Sequence, residues 1–412
     1  MNRRDFIGRT GLTATPILFS RNIIGSDHLL NNFRKCLFNF EAIIFFLLLV
    51  LLPSSSLQAQ TSNNRPQTPK PPFPYIVDSV EYDNTGKTVH LGATFTCPKT
   101  GGPFVTLLMI TGSGLQDRDE TVFRHKPFAV IADYLTKKGY AVLRVDDRNI
   151  GKSKGDLKNA TSADFADDVL ASYNYLLQRN EVDKSKIGLI GHSEGGFIAP
   201  IVYAKNPGVA FIISLAGTGV PGSQILLHQQ TDPAKAMFNQ PTFDAYYDLT
   251  KMTLQTIHDN PMLPDSVILE KIKALFTKWK QSLPDSILKP LHADIATPEM
   301  YAAQIKTELI PWLKYFIATD PYQFWKQVKC PVLALNGEKD IQVDADENIS
   351  AIKKALDDGG NKNVTTMIFP GLNHLFQHCT KCTIPEYGEL EETISPDVLD
   401  EIGKWLDAKI SK

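Results

Sequence analysis

Cysteine is scarce, with five residues in 412, too few for the disulfide lattice that holds small secreted scaffolds together. Charge of one sign is missing too. The 43 Lys+Arg nearly cancel the 45 Asp+Glu, leaving a formal charge of −2, without the basic excess that nucleic-acid binding normally needs. No apolar run reaches the about 20 residues required to cross a bilayer core. The densest run, Ala42 to Leu52, stops short, with Asn39 and Glu41 before it and Pro53 after it. Gly and Pro number 26 each and follow no repeat, which excludes collagen-like and low-complexity architectures. What is present is 43% hydrophobic and 21% charged, enough for a large buried core. An enzyme or a ligand binder remains.

The first residues differ from the rest. Asn2-Arg3-Arg4-Asp5-Phe6-Ile7 resembles a twin-arginine export signal. Further on, Arg34 and Lys35 precede the apolar run, and Pro53-Ser54-Ser55-Ser56-Leu57-Gln58-Ala59 follows it. Charged, apolar and small-residue regions in that order form a secretory signal. Residues 1–59 are therefore expected to be an export region cleaved near Ala59, delivering a periplasmic or extracellular protein without stable membrane insertion. An uncleaved membrane anchor is the alternative. Cys36 precedes the apolar run, which argues against a lipoprotein. Residues 60–74 read as a flexible Pro-rich linker, with the folded part beginning near Tyr75.

From Tyr75 onward strand and helix patterns alternate. Residues 76–82 and 89–95 flank an Asp83-Asn84-Thr85-Gly86 turn and read as a β-hairpin. Apolar runs at 104–110, 141–145, 187–190 and 210–215 are separated by helical periodicity at 127–138, 162–178 and 197–204. That rhythm predicts a mostly parallel sheet covered on both faces. It breaks across 219–318, a Pro-punctuated stretch of amphipathic helices read as an inserted cap. Core segments 75–218 and 319–412 enclose it, and strands at 332–335 and 365–369 resume the alternation.

Gly191-His192-Ser193-Glu194-Gly195 matches Gly-x-Ser-x-Gly, with an apolar strand before it and a helix pattern after it. A sharp strand-to-helix turn needs small residues on both sides of the serine, so Ser193 is the candidate nucleophile. A second match, Gly151-Lys152-Ser153-Lys154-Gly155, lies in a polar stretch and reads as a surface loop. Ser193 needs a base, and the base needs a carboxylate to orient it. Asp340 follows one late strand and His374 the next, at the ends where such sheets place their sites. Asp344 and Glu338 are rival acids and His378 a rival base, with helix capping the plainer role for Asp344. Oxyanion donors are expected from the backbone N–H of Glu194 and from Thr111-Gly112-Ser113-Gly114, where Ser113 is the first choice and Gly114 the second.

These pieces together resemble the α/β-hydrolase superfamily, and within it the EstD-like bacterial serine esterases. The resemblance rests on Thr111 to Asp119, Gly191 to Gly196, Asn336 to Asp340 and Gly371 to His374, with Asp147-Arg148-x-x-Gly151-x-Ser153 as a further loop. It implies an α/β-hydrolase fold with an N-terminal hairpin and a helical cap. It also implies a carboxylic-ester hydrolase using Ser193, Asp340 and His374, with Asp117 and Arg118 bracing the oxyanion loop by salt bridges. A small-molecule ester would be the partner, with no cofactor and no metal. A thioesterase, a peptidase with the same triad, and a non-catalytic binding protein of this fold are the alternatives.

Cys379-Thr380-Lys381-Cys382 has metal-ligand spacing and lies close to His374 and His378. A zinc site there would remove His374 from catalysis. A local disulfide or free thiols is the favoured reading, with Cys97–Cys330 a possible second bridge. Aromatic residues of the cap, among them Trp279, Trp312 and Phe316, suggest a lid over an apolar acyl pocket.

Overall fold

The structure, a computed structural model, describes residues 64–411. The expected export region, its cleavage point near Ala59 and the alternative anchor lie outside the described residues. Among the described residues no helix is long and apolar enough to cross a membrane.

Eight strands form one open sheet. They are β1 (Ile76–Asp83), β2 (His90–Cys97), β3 (Phe104–Ile110), β4 (Ala141–Val145), β5 (Val182–His192), β6 (Ile212–Leu215), β7 (Val332–Gly337) and β8 (Val364–Phe369). Their spatial order is β1-β2-β4-β3-β5-β6-β7-β8. The hairpin β1–β2 and the β2–β4 pairing are antiparallel; every later pairing is parallel. β3 (FVTLLMI) is buried over most of its length, while β1 stays largely exposed at the edge. That contrast is expected of an inner parallel strand and a solvated antiparallel edge.

Two apolar layers cover the sheet, one holding Phe95, Leu108, Ile187 and Phe197, the other Leu107, Phe128, Ile190 and Trp405. Helix α1 (Pro127–Lys137) starts with Pro at its first position, where the missing N–H costs nothing. Helix α2 (Ser162–Leu176) begins with a capping box in which the Asp164 carboxylate accepts from Thr161 N–H at 2.8 Å. Helix α3 (Glu194–Lys205) is buried for most of its length, so it must be apolar on every side.

Between β6 and β7 the chain leaves the sheet and runs through α4 (Gly222–Thr231), α5 (Gln240–His258), α6 (Asp265–Gln281), α7 (Pro298–Ile305) and α8 (Pro311–Ala318). Phe276 and Trp279 pack into a cluster internal to these helices. Ile257, Ile268 and Leu313 instead continue the core of the sheet. After β7 come α9 (Ala345–Asp358) and, following β8, α10 (Pro396–Lys409).

Two segments differ from expectation. Ordered contacts begin before Tyr75: Arg65 is buried and donates to the carbonyls of Phe123, Gly388 and Leu390. Gln67 binds both Thr393 N–H and the Ile394 carbonyl. Arg65 and Gln67 therefore make the described part of this segment a docked strap rather than a loose tether. Ser153, placed by sequence on a surface loop, is buried; its hydroxyl donates to the Asp146 carbonyl at 2.8 Å and accepts from Gly92 N–H at 2.9 Å. Gly151 is required there because a Cβ would sit 2.3 Å from Asp146 Oδ2. The second Gly-x-Ser-x-Gly match is thus a structural turn.

Candidate active site

β5 ends at His192 and α3 starts at Glu194, so the direction of the chain reverses at Ser193 alone. Ser193 has φ 53° and ψ −117°, a left-handed conformation that side chains avoid unless the surroundings enforce it. Backbone crowding enforces it here. A Cβ on Gly191 would lie 2.2 Å from the Gly195 carbonyl oxygen, and one on Gly195 would lie 2.2 Å from that of Ile110. A Cβ on Gly196 would lie 2.6 Å from Gly217 Cα. Ser193 N–H is held by the Leu215 carbonyl at 2.8 Å.

Asp340 and His374 meet as the sequence order suggests. His374 Nδ1 lies 2.7 Å from Asp340 Oδ2, and both side chains are almost fully buried. The other oxygen, Oδ1, accepts the N–H groups of Gln342 and Val343 at 2.8 and 2.9 Å. Every strong acceptor of this buried carboxylate is therefore used. The rivals are occupied elsewhere. Asp344 caps α9 through Glu347 N–H, Glu338 is exposed and accepts Gly371 N–H, and the exposed His378 pairs with Glu392.

Glu194 opens α3, so its N–H belongs to the first turn, where no intrahelical acceptor exists and the helix end is electropositive. On the facing loop, the Gly112 N–H is taken by Glu120 Oε1 at 2.7 Å, and a Cβ on Gly112 would stand 3.2 Å from Ser193 Cβ. Next along that loop are the N–H groups of Ser113 and Gly114. The Ser113 side chain bonds the Glu194 carboxyl, which also accepts from Ser162 Oγ at 2.6 Å and Trp312 Nε1 at 2.8 Å. Burial raises the Glu194 pKa, and these donors only partly offset it. Trp312 is thus the aromatic residue of the insertion that reaches this site. Trp279 hydrogen-bonds the Ala245 carbonyl inside the insertion, and Phe316 packs edge-on against Phe197.

Behind the loop lies a small cleft lined by Thr111, Gly112, Gly114, Asp147, Phe165 and Glu194 among others. Asp147 braces the loop by accepting from Thr111 Oγ1 at 2.6 Å and Gln116 N–H at 2.9 Å. Desolvation pushes its carboxyl up to about 8. Arg118 forks onto Asp146 and also donates to Thr94. Asp117, expected in a salt bridge, instead accepts from Asp119 N–H and from Thr121, while Asp119 pairs with Arg144 and Lys126. A short carboxylate close to its own turn reaches backbone donors more readily than a distant cation.

Cys379 and Cys382 are joined as a disulfide. With both sulfurs spent and His374 on Asp340, the residues of the zinc alternative are otherwise engaged. Cys97 and Cys330 are both free thiols, so the second bridge does not form.

Three contributors carry no signal in the sequence patterns above. His192 is the first variable residue of Gly-x-Ser-x-Gly, Glu120 directly follows the quoted oxyanion-loop motif, and His125 is buried against Thr393 and the Tyr387 carbonyl. Adjacency to the motifs was the available clue for the first two.

A family model described as the alpha/beta hydrolase fold matches residues 107–378. Esterase EstD of Thermotoga maritima is 25% identical over 335 residues, covering 81% of this chain and 70% of that one. The structure of an esterase from Pyrococcus furiosus superposes with a TM-score of 0.50 at 15% identity, covering 82% of this chain and 92% of that one. The matched span contains the Ser193 turn, Asp340 and His374. By its sheet order and by that match, the chain belongs to the α/β-hydrolase fold family.

Proposed function

We propose that this protein is a serine hydrolase that cleaves carboxylic esters through an acyl-enzyme. The observation carrying this reading is the buried 2.7 Å contact between His374 Nδ1 and Asp340 Oδ2, in a chain whose nucleophile turn is sterically fixed at Ser193. Asp340 keeps the proton on Nδ1, leaving Nε2 of His374 as the base. Ser193 Oγ gives its proton to that nitrogen and attacks the ester carbonyl carbon. The N–H groups of Glu194 and Ser113 take the developing oxyanion. His374 then returns the proton to the departing alcohol, and water repeats the sequence to release the acid. The esterase relatives favour an ester over an amide as substrate.

Ser193→Ala should lower turnover of a short-chain nitrophenyl ester by roughly 10⁴-fold or more. A fluorophosphonate should label the wild-type protein at Ser193. Turnover that survives the substitution would overturn the assignment. Export is a separate proposal resting on the leader, tested by sequencing the N-terminus of secreted protein; a chain still carrying residue 40 would refute cleavage near Ala59.

A further inference from the structure

Ser193, His374 and the oxyanion loop sit on three separate chain segments that must agree within a fraction of an ångström for catalysis. One carboxylate touches two of these segments and reaches the third through a single ring. Glu120 is 4% exposed and has φ 53°, a strained backbone for a non-glycine residue. Its Oε1 accepts the Gly112 N–H of the oxyanion loop at 2.7 Å and faces Nδ1 of His192, the residue before the nucleophile, at 3.0 Å. Nε2 of His192 lies 3.1 Å from the backbone oxygen of His374, and the two imidazole rings are 4.8 Å apart.

Both partners of His192 offer acceptor oxygens, which a ring with hydrogen on both nitrogens, and so a positive charge, would satisfy. Burial works against that charge, but Glu120 and the His374 carbonyl outweigh it and raise the pKa of His192. Glu120 Oε2 is buried with no protein hydrogen-bond partner. A buried carboxylate half left unpaired is expensive. Stability alone does not explain it.

We propose that Glu120 and His192 are positioning residues that hold the oxyanion loop, the nucleophile turn and the base loop in mutual register. This rests on the serine-hydrolase reading above. Neither residue transfers a proton to substrate. Glu120 fixes where Gly112, and with it the next N–H groups, stand relative to Ser193. His192 fixes the height of His374 by holding its backbone oxygen.

The test uses Glu120→Ala, Glu120→Gln and His192→Ala in the whole protein, with melting curves, kcat and KM on a nitrophenyl ester, and the rate of fluorophosphonate labelling. Glu120→Ala and His192→Ala should lower kcat by about a hundredfold, the scale of an ångström-level misplacement. KM should stay within about threefold, because neither side chain lines the cleft behind the loop. Glu120→Gln keeps an acceptor for Gly112 and should recover at least about tenfold of the lost kcat. If Glu120→Ala does not fold, Glu120→Gln and His192→Ala carry the test. Well-folded variants with wild-type kcat and labelling rate would overturn the inference, as would Glu120→Gln being no better than Glu120→Ala. A wild-type protein that neither turns over ester nor takes label at Ser193 would overturn the function and this inference together. Normal wild-type labelling with unaffected variants would overturn the inference alone.

Discussion

Ser193 is held by steric crowding around a glycine turn, His374 by polar contacts that reach it from distant parts of the chain. At the Ser193 turn, Gly191, Gly195 and Gly196 leave no room for a Cβ, and α3 starts at the next residue. The His374 loop has no such local rule. Asp340, 34 residues away, binds the ring, and His192, 182 residues away, binds the backbone. Beneath it, His125 ties Thr393 and Tyr387, and Arg65 ties Gly388 and Leu390 from 323 and 325 residues away. The lesson is about failure modes. Steric rules break all at once, whereas a polar scaffold loosens strut by strut.

The sharpest way to break the comparison is at the turn. Gly195→Ala places a methyl group 2.2 Å from the Ile110 carbonyl oxygen, where backbone cannot yield. It should cost at least about 3 kcal/mol, the upper part of the overpacking range, and abolish labelling of Ser193. A melting curve unchanged by this substitution would mean that the turn is not sterically determined. Arg65→Ala comes next. It removes a buried guanidinium from the carbonyls of Phe123, Gly388 and Leu390 and should cost about 1–3 kcal/mol. Urea unfolding would measure it, and wild-type stability would show that the strap bears no weight.

A smaller effect is expected from the disulfide. Cys379–Cys382 closes a loop with a sequence separation of 3, so opening it with a dithiol should cost no more than about 2 kcal/mol. A larger loss in Cys379→Ser/Cys382→Ser would place this bridge among the main struts of the His374 loop. The last is a change of slope. Desolvation, aided by the nearby Arg65 charge, lowers the His125 pKa from 6.5 to about 4. Between those values the unfolded chain binds a proton that the folded chain refuses, so this contribution to stability is present above 6.5 and is lost as pH falls toward 4. His125→Gln should flatten that part of the stability–pH profile relative to wild type. Equal slopes in wild type and variant would remove His125 from the account.

The same contrast decides what the sequence could disclose. Apolar runs such as Phe104 to Ile110 mark their own burial, and the Ser193 turn declares itself because its glycines sit within five residues. Asp340 and His374 were legible as residues just past late strands in the right order, and Asp344 as a cap because capping is local. Glu120, His192 and Arg65 were not. Their partners lie from 8 to 325 residues away, and neither hydrophobic periodicity nor spacing records which carbonyl a distant side chain will reach. Ser153 misled for a related reason: its polar surroundings describe exposure, yet its hydroxyl is consumed by Asp146 and Gly92. Polar character in a sequence says that a partner is needed and is silent about where it comes from.

The Pro-rich strap also carries a constraint in time. Arg65 lies near the start of the described chain and its acceptors Gly388 and Leu390 near the end. Any process that delivers the polypeptide N-terminus first, whether synthesis or passage through a narrow conduit, presents this guanidinium long before its acceptors arrive. The contact must therefore close after nearly everything else has emerged. Until then the loop bearing His374 lacks one of its distant anchors.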